Sequence, residues 1–172
     1  MKRKKTRRYI SGMIVAVLLF LLCVVQNVNA EDVPAGSELP RLVDDADILT
    51  DSEEKELNQQ LDTVSEEQEC DVIIVTVDSL NGKTVEEYAD DYYDYGGFGV
   101  GKKASGVLLL YYMDGPGQSG GECYISTSGT MITLLTDERI ETILDDVYGN
   151  LGNRDFAAAS QIFLEDVSDY VK

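Results

Sequence analysis

Six consecutive β-branched residues, 72–77 (VIIVTV), constrain this chain more than any other stretch of it. Branching at Cβ stiffens χ1, which disfavours helix and suits a pleated strand. Apolar side chains at both odd and even positions leave no face for water, so the strand must be covered by a layer on each side. Residues 107–112 (VLLLYY) repeat the pattern. Between the two runs, Thr84 and Glu87 stand three apart as the ends of a capping box, and Val85, Tyr88, Ala89 and Tyr92 mark one face of a helix. Strand, helix, strand is a βαβ unit, which predicts a parallel pair joined by a right-handed crossover.

The flanks extend this unit. Thr50 and Glu53 form a second capping box, and Leu57, Leu61 and Val64 predict a helix that ends before Cys70. Residues 114–121 (DGPGQSGG) are turn material, after which residues 122–127 (ECYIST) alternate as a third strand returning antiparallel. Thr136 caps a helix with the stripe Ile140, Ile143, Leu144 and Val147. Asn153 is the expected cap of the last helix, whose inward face is Phe156, Ala159, Phe163, Val167 and Tyr170. The expectation is an α/β domain with a small mixed sheet.

The N-terminus carries a different signal. Lys2, Arg3, Lys4, Lys5, Arg7 and Arg8 precede an unbroken apolar run at residues 13–25, followed by Val28-Asn29-Ala30. A positive segment, an apolar segment of that length and small residues at a cleavage position predict a secretory signal peptide over residues 1–30. An uncleaved N-terminal anchor is the alternative, since residues 10–12 bring the run nearer the roughly 20 residues needed to span a bilayer. Either outcome places the rest outside the cytoplasm, secreted or membrane-associated. Residues 31–40, with Pro34, Gly36, Ser37 and Pro40, read as a linker, which leaves residues 41–172 as the domain.

Removing residues 1–30 leaves eight basic residues against 32 acidic ones, a net charge of −24. Nucleic acid and anionic lipid are bound by neutralising phosphates with Lys and Arg, so neither suits this domain; divalent cations and basic partners do. The chain has no histidine. Ser-His and Cys-His nucleophilic catalysis and His-based zinc sites are therefore excluded, and a bound metal is expected to be a hard cation on oxygen ligands, calcium before magnesium. Of three cysteines, Cys23 lies in the signal segment. Cys70 lies just before the first long strand and Cys123 at the start of the returning one, on opposite sheet edges about 20 Å apart for a six-residue strand. A disulfide needs Cα atoms within about 7 Å, so the two are expected to remain unbonded to each other, each buried or paired with another molecule.

Three apparent signals carry less than they suggest. Residues 96–103 (GGFGVGKK) mimic a phosphate-binding loop, but Lys103 replaces the required Ser or Thr and the loop follows a helix and precedes a strand. Asp44, Asp45 and Asp47 evoke an aspartyl-phosphate nucleophile, yet only Leu42 and Val43 precede them, without the long buried strand that would hold such a carboxylate rigid. Tyr88, Tyr92, Tyr93 and Tyr95 read as half-buried helix packing.

A spatial argument about acids remains. Ligands of open α/β sheets collect outside the carboxyl ends of parallel strands. Asp78 and Asp114 end the two long strands, Asp44 and Asp45 precede the first helix, and Asp137 occupies a helix N-terminus. Gathered at one edge, these five carboxylates would repel one another unless a cation joined them. They are the candidate metal ligands. The structural reading makes Asp137 a favourable N-terminal charge and Asp78 and Asp114 ordinary turn formers.

In ordered sequence the chain resembles the TPM domain family. The matching stretches are Val43-Asp44-Asp45-Ala46-Asp47-Ile48-Leu49-Thr50, the whole of residues 71–114, residues 124–129 (YISTSG) with Leu135-Thr136-Asp137, and Gly152-Asn153-Arg154-Asp155-Phe156. Two departures stand out: Ala104-Ser105-Gly106 where many members have Asp-Asn-Gly, and Ser128-Gly129-Thr130-Met131 at the turn after the third strand. The resemblance implies a Rossmann-like three-layer sandwich with helices on both faces, frequent calcium binding through strand-end acids and a membrane-proximal setting. It also implies two functional alternatives: a calcium-binding interaction module at the cell envelope, meeting an envelope or membrane protein, and a metal-dependent phosphatase working through a metal-activated water. The first is the expectation, because no residue has an obvious nucleophile role.

Overall fold

In the computed structural model, residue 37, residues 39–114 and residues 121–172 are described. The expected signal segment, most of the linker and the glycine-rich turn between the last two strands lie outside them. The elements run β1 (Leu42–Asp44), α1 (Asp51–Gln68), β2 (Asp71–Val77), α2 (Val85–Gly96), β3 (Gly106–Met113), β4 (Gly121–Ser128), α3 (Met131–Leu134), α4 (Asp137–Leu151) and α5 (Phe156–Val171). The four strands form one sheet in the order β1-β2-β3-β4. β1, β2 and β3 are parallel, and β4 returns antiparallel to β3.

Every residue of β2 is buried, as its unbroken β-branched run requires. Its even-numbered residues Val72 and Ile74 join Leu109, Tyr111, Ile125 and the inward faces of α1, α4 and α5 in the larger core. Its odd-numbered residues Ile73, Val75 and Val77 join Leu108, Leu110 and the Ala89 and Tyr93 face of α2 in the smaller one. The sheet is thus the middle of three layers, the sandwich the sequence led one to expect. Both capping boxes form: Thr50 accepts from Glu53 N while Glu53 accepts from Thr50 N, and Thr84 and Glu87 do the same.

Four features differ from the sequence reading. Leu42–Asp44 is a strand, held by pairing with Ile74, Val75 and Thr76, so a stretch too short to stand alone is completed by its neighbour. A one-turn helix, α3, fills the connection after β4. The last helix is capped by Asp155, whose carboxylate accepts from Ala158 N at 3.0 Å, and not by Asn153. Tyr93 is buried at 2 % exposure and Tyr88 and Tyr92 are half-buried, but Tyr95 is 85 % exposed and joins no packing.

The hand of the crossovers also departs from the common rule. Both β1-α1-β2 and β2-α2-β3 step the same way across the sheet, yet α1 packs on one face and α2 on the other. Two such crossovers have opposite hands, so only one of them obeys the right-handed preference.

Candidate functional site

The chain leaves β1 for one face of the sheet and β2 for the other, so the two connections diverge above the carboxyl ends of these strands. In α/β sheets ligands settle in the crevice outside the carboxyl ends of the strands. Asp44 closes β1 here, and its carboxylate is engaged by its own loop: Oδ2 accepts from Leu49 N at 2.9 Å, and Oδ1 accepts from Ile48 N at 3.2 Å and from the Thr76 hydroxyl. Thr76, only 1 % exposed, in turn accepts from Ala46 N at 3.1 Å. Asp47 adopts φ +53°, a left-handed conformation that Asp tolerates better than most residues, and its N–H returns to Asp44 O. Asp44 is therefore the buttress of the β1–α1 turn, with both oxygens committed to it.

Asp45 and Asp78 are the free carboxylates of the crevice, one after each strand, and both are exposed. Asp114 follows β3 on the same edge, where it accepts from the Tyr112 hydroxyl at 3.0 Å. The phenol of Tyr112 is pushed up by that bond and by the nearby negative charges of Asp114, Asp78 and Glu122, which places these acids around one tyrosine. Tyr88 and Tyr92 stack at 6.3 Å on α2, and both are shifted upward, first by burial and then by the charge of Asp45. The edge thus combines exposed carboxylates with an adjoining aromatic wall.

Asp137 does not belong to this set. β4 ends at Ser128 beside Gly106, the first residue of β3, so α4 begins at the opposite edge of the sheet. A seven-residue strand separates the two edges by roughly 20 Å. The sequence reading erred by treating a helix that follows an antiparallel strand as though it followed a parallel one. Asp44, Asp45, Asp78 and Asp114 share the carboxyl edge, but among the described residues no three acidic or cysteine side chains stand close enough to hold an ion together. Both Asp44 oxygens are already hydrogen-bonded to the turn. The remaining acids fall short of the six to eight oxygens that a closed calcium cage needs.

The acid that sequence reasoning passed over is Asp71. It is 3 % exposed, yet fully partnered: Oδ1 accepts from Arg41 Nε at 3.1 Å and Nη2 at 2.9 Å, and Oδ2 accepts from Gly99 N at 2.6 Å. The signal was present in Asp71 opening an otherwise uncharged strand and Arg41 immediately preceding β1, its parallel neighbour. Its role is to fasten the glycine-rich loop. That loop also receives the Tyr93 hydroxyl on Ala104 O at 3.0 Å, and Gly99 at φ +110° packs so tightly on Ala104 that a Cβ there would stand 2.5 Å from its carbonyl carbon. With its Gly99 amide turned inward to Asp71, this loop is a structural clasp at the amino edge of the sheet.

Cys70 and Cys123 are both free and buried. Burial pushes the Cys70 thiol up to about 11 and the Cys123 thiol up to about 12, so both remain neutral at physiological pH. They stand on opposite edges, Cys70 before Asp71 and Cys123 opposite Tyr111 near the end of β3, as the strand order demanded.

Sheet order, three-layer packing and the strand-end acids together define an α/β domain of Rossmann-like architecture. The TPM domain matches over residues 42–170, and the chain belongs to that family. The chain is 21 % identical over 154 residues to the UPF0603 protein YdjH of Bacillus subtilis (strain 168), covering 90 % of this chain but 57 % of the relative, so it spans little more than half that protein's length. Among solved structures it resembles an N-terminal domain of a P. gingivalis protein, with a TM-score of 0.63 at 19 % identity over 76 % of this chain and 81 % of that one. The N-terminal domain of cg2496 from Corynebacterium glutamicum gives a TM-score of 0.57 at 17 % identity, covering 86 % and 88 %. BA42 from Bizionia argentinensis gives 0.57 at 13 % identity, covering 72 % and 81 %. At these identities the likeness speaks for the fold.

Proposed function

We propose that this TPM domain is a calcium-responsive interaction module on the extracytoplasmic side of the cell envelope. The observation that carries the reading is the crevice between β1 and β2. Its exposed Asp45 and Asp78, joined along the edge by Asp114, are oxygen donors for a hard cation, while Asp44, the acid best placed to act as a nucleophile, has both oxygens engaged in the turn. The two buried thiols, held neutral, offer no nucleophile either. A cation on the edge would cancel local repulsion and present a surface to an envelope or membrane protein. The basic and apolar N-terminal segment is the support for export.

Calcium in the millimolar range should raise the melting temperature and a chelator should reverse it. A ligand at a hundred times its Kd adds about 2.7 kcal/mol to folding stability. Asp45→Asn, Asp78→Asn and Asp114→Asn should each reduce the rise, while Asp137→Asn on the opposite edge and Glu66→Gln on α1 should leave it intact. Equal losses in all five variants would reduce the effect to diffuse charge screening and remove the site. Release of p-nitrophenol from its phosphate ester, measured in parallel and abolished by Asp78→Asn, would replace the binding module with a metal-dependent phosphatase.

A further inference from the structure

The cavity that the proposed function leaves unused lies on the other side of the sheet. About 310 Å³ in volume, it opens between the ends of β3 and β4 and the turn that joins α4 to α5. Its apolar lining comes from Tyr111, Met113, Leu151 and Phe156, and the Tyr111 and Phe156 rings meet edge to face at 6.0 Å. The Tyr148 hydroxyl, at its wall, accepts from Cys123 N at 2.9 Å and turns its own proton to the Cys123 thiol. Strand alternation determines which charges face in. Cys123 and Tyr111 share the face of the larger core, so their neighbours Glu122 and Tyr112, paired across the strands, direct their side chains to the α2 face, although the Glu122 charge still reaches Tyr148 and Cys123.

Arg154 is then the charged side chain on the cavity's own side. It stands in the α4–α5 turn at φ +59°, its N–H bonded to Leu151 O at 2.8 Å. Left-handed backbone favours glycine, yet the glycine of this turn, Gly152, is at φ −56° with open space where a Cβ would stand, and an arginine holds the left-handed position. The Arg154 guanidinium makes no ion pair or hydrogen bond with any described residue, in a domain where acids far outnumber bases. A cation so placed, with no carboxylate among the described residues drawn to it, beside an apolar floor, has the composition of a site for one negative charge on an apolar body.

We infer that this cavity binds a small organic monocarboxylate, its apolar body on Tyr111 and Phe156 and its carboxylate on Arg154. The same chemistry is presented by a free aryl or alkyl acid and by the C-terminal carboxylate of a peptide ending in an apolar residue. The test titrates the full chain with 3-phenylpropionate, its amide, and an acetylated dipeptide ending in phenylalanine, following binding by calorimetry. Saturable binding of the acid is expected, with the amide at least ten-fold weaker. Arg154→Gln should weaken the acid ten- to hundred-fold, the worth of a charged hydrogen bond of about 1.5–3 kcal/mol, and Arg154→Lys should restore part of it. Arg154 is exposed, so these variants keep the fold, and the Asp78→Asn variant should bind the acid unchanged, which separates this site from the crevice. Binding of the dipeptide at least as tight as that of the free acid points to a protein terminus; binding of the free acid alone points to a metabolite. An amide that binds as well as the acid, indifference to Arg154→Gln, or no binding by either carboxylate overturns the inference.

Discussion

Replacing Asp44 by alanine separates a structural carboxylate from a cation ligand. The change removes the acceptor of Leu49 N, of Ile48 N and of the Thr76 hydroxyl. Leu49 and Thr76 are buried at 7 % and 1 % exposure, so their freed donors are poorly reached by water. A buried donor left unsatisfied costs about 1–3 kcal/mol, and Ile48 N, nearer the surface, recovers most of its loss from solvent. The total is about 3 kcal/mol, which for a domain of this size corresponds to a fall in melting temperature of roughly 10 °C. Asp44→Asn keeps one acceptor oxygen and should lose about half as much. The assay is denaturant unfolding with and without calcium, read at constant m. The loss should be the same in chelator as in calcium, because the three bonds need no ion. A variant that keeps wild-type stability in chelator while losing the calcium response would refute the reasoning and return Asp44 to the ligand set.

Three further outcomes follow from the same structure. Arg41→Met leaves Asp71 buried with only Gly99 N and should destabilise by about 3–5 kcal/mol, more than Asp62→Asn, which touches only the exposed arm of the same arginine; equal effects in thermal unfolding would contradict the buried pair. Asp155→Ala should cost about 1 kcal/mol as the loss of a helix cap, whereas Asn153→Ala should be near neutral, and the reverse order would reinstate the cap expected from sequence. The thiols of Cys70 and Cys123 have folded-state values raised from about 9 to about 11 and about 12, so the stability they confer is whole below pH 9 and is lost as pH rises toward those values. Unfolding followed from pH 8 to pH 11 should show that decline, and alkylation with mass spectrometry at pH 8 should find both thiols unlinked and slow to react until the protein is unfolded.

The fold was legible where local signals and burial agree. Residues 72–77 and 107–112, two capping boxes and the stripes of four helices led directly to the layers, because each is decided within a few residues of itself. β1 was not legible, since three residues become a strand only through pairing with Ile74, Val75 and Thr76, a contact about thirty positions away in sequence. The site shows the same division. Asp78 and Asp114 fall on one edge because they follow parallel strands, and Asp45 joins them because it precedes the first helix. Asp137 was misplaced because its side of the sheet depends on the direction of β4, and Asp44 was misread because its hydrogen bonds to Leu49 and Thr76 exist only after β1 has paired. Asp71 looked like one surface acid among 32 until the register put Arg41 beside it.

The opposite hands of the two crossovers set the strength of any cation site at this edge. Because α1 and α2 cover opposite faces but both start from the carboxyl edge, their N-termini at Thr50 and Thr84 flank the crevice from either side. Each helix N-terminus carries the equivalent of roughly half a positive charge. Glu53 and Glu87 answer part of that charge within the capping boxes, and Glu53 is held below the usual carboxylate range by its bonds to Thr50. The remainder opposes a cation in the crevice, so the edge holds an ion less tightly than the same acids on a flat surface would. On the proposed reading, the crevice therefore works with calcium of the 10⁻⁴ to 10⁻³ M order typical of extracellular modules. A nanomolar affinity would require ligands that this edge does not bring together, and measuring one would mean that the ion is held elsewhere on the domain.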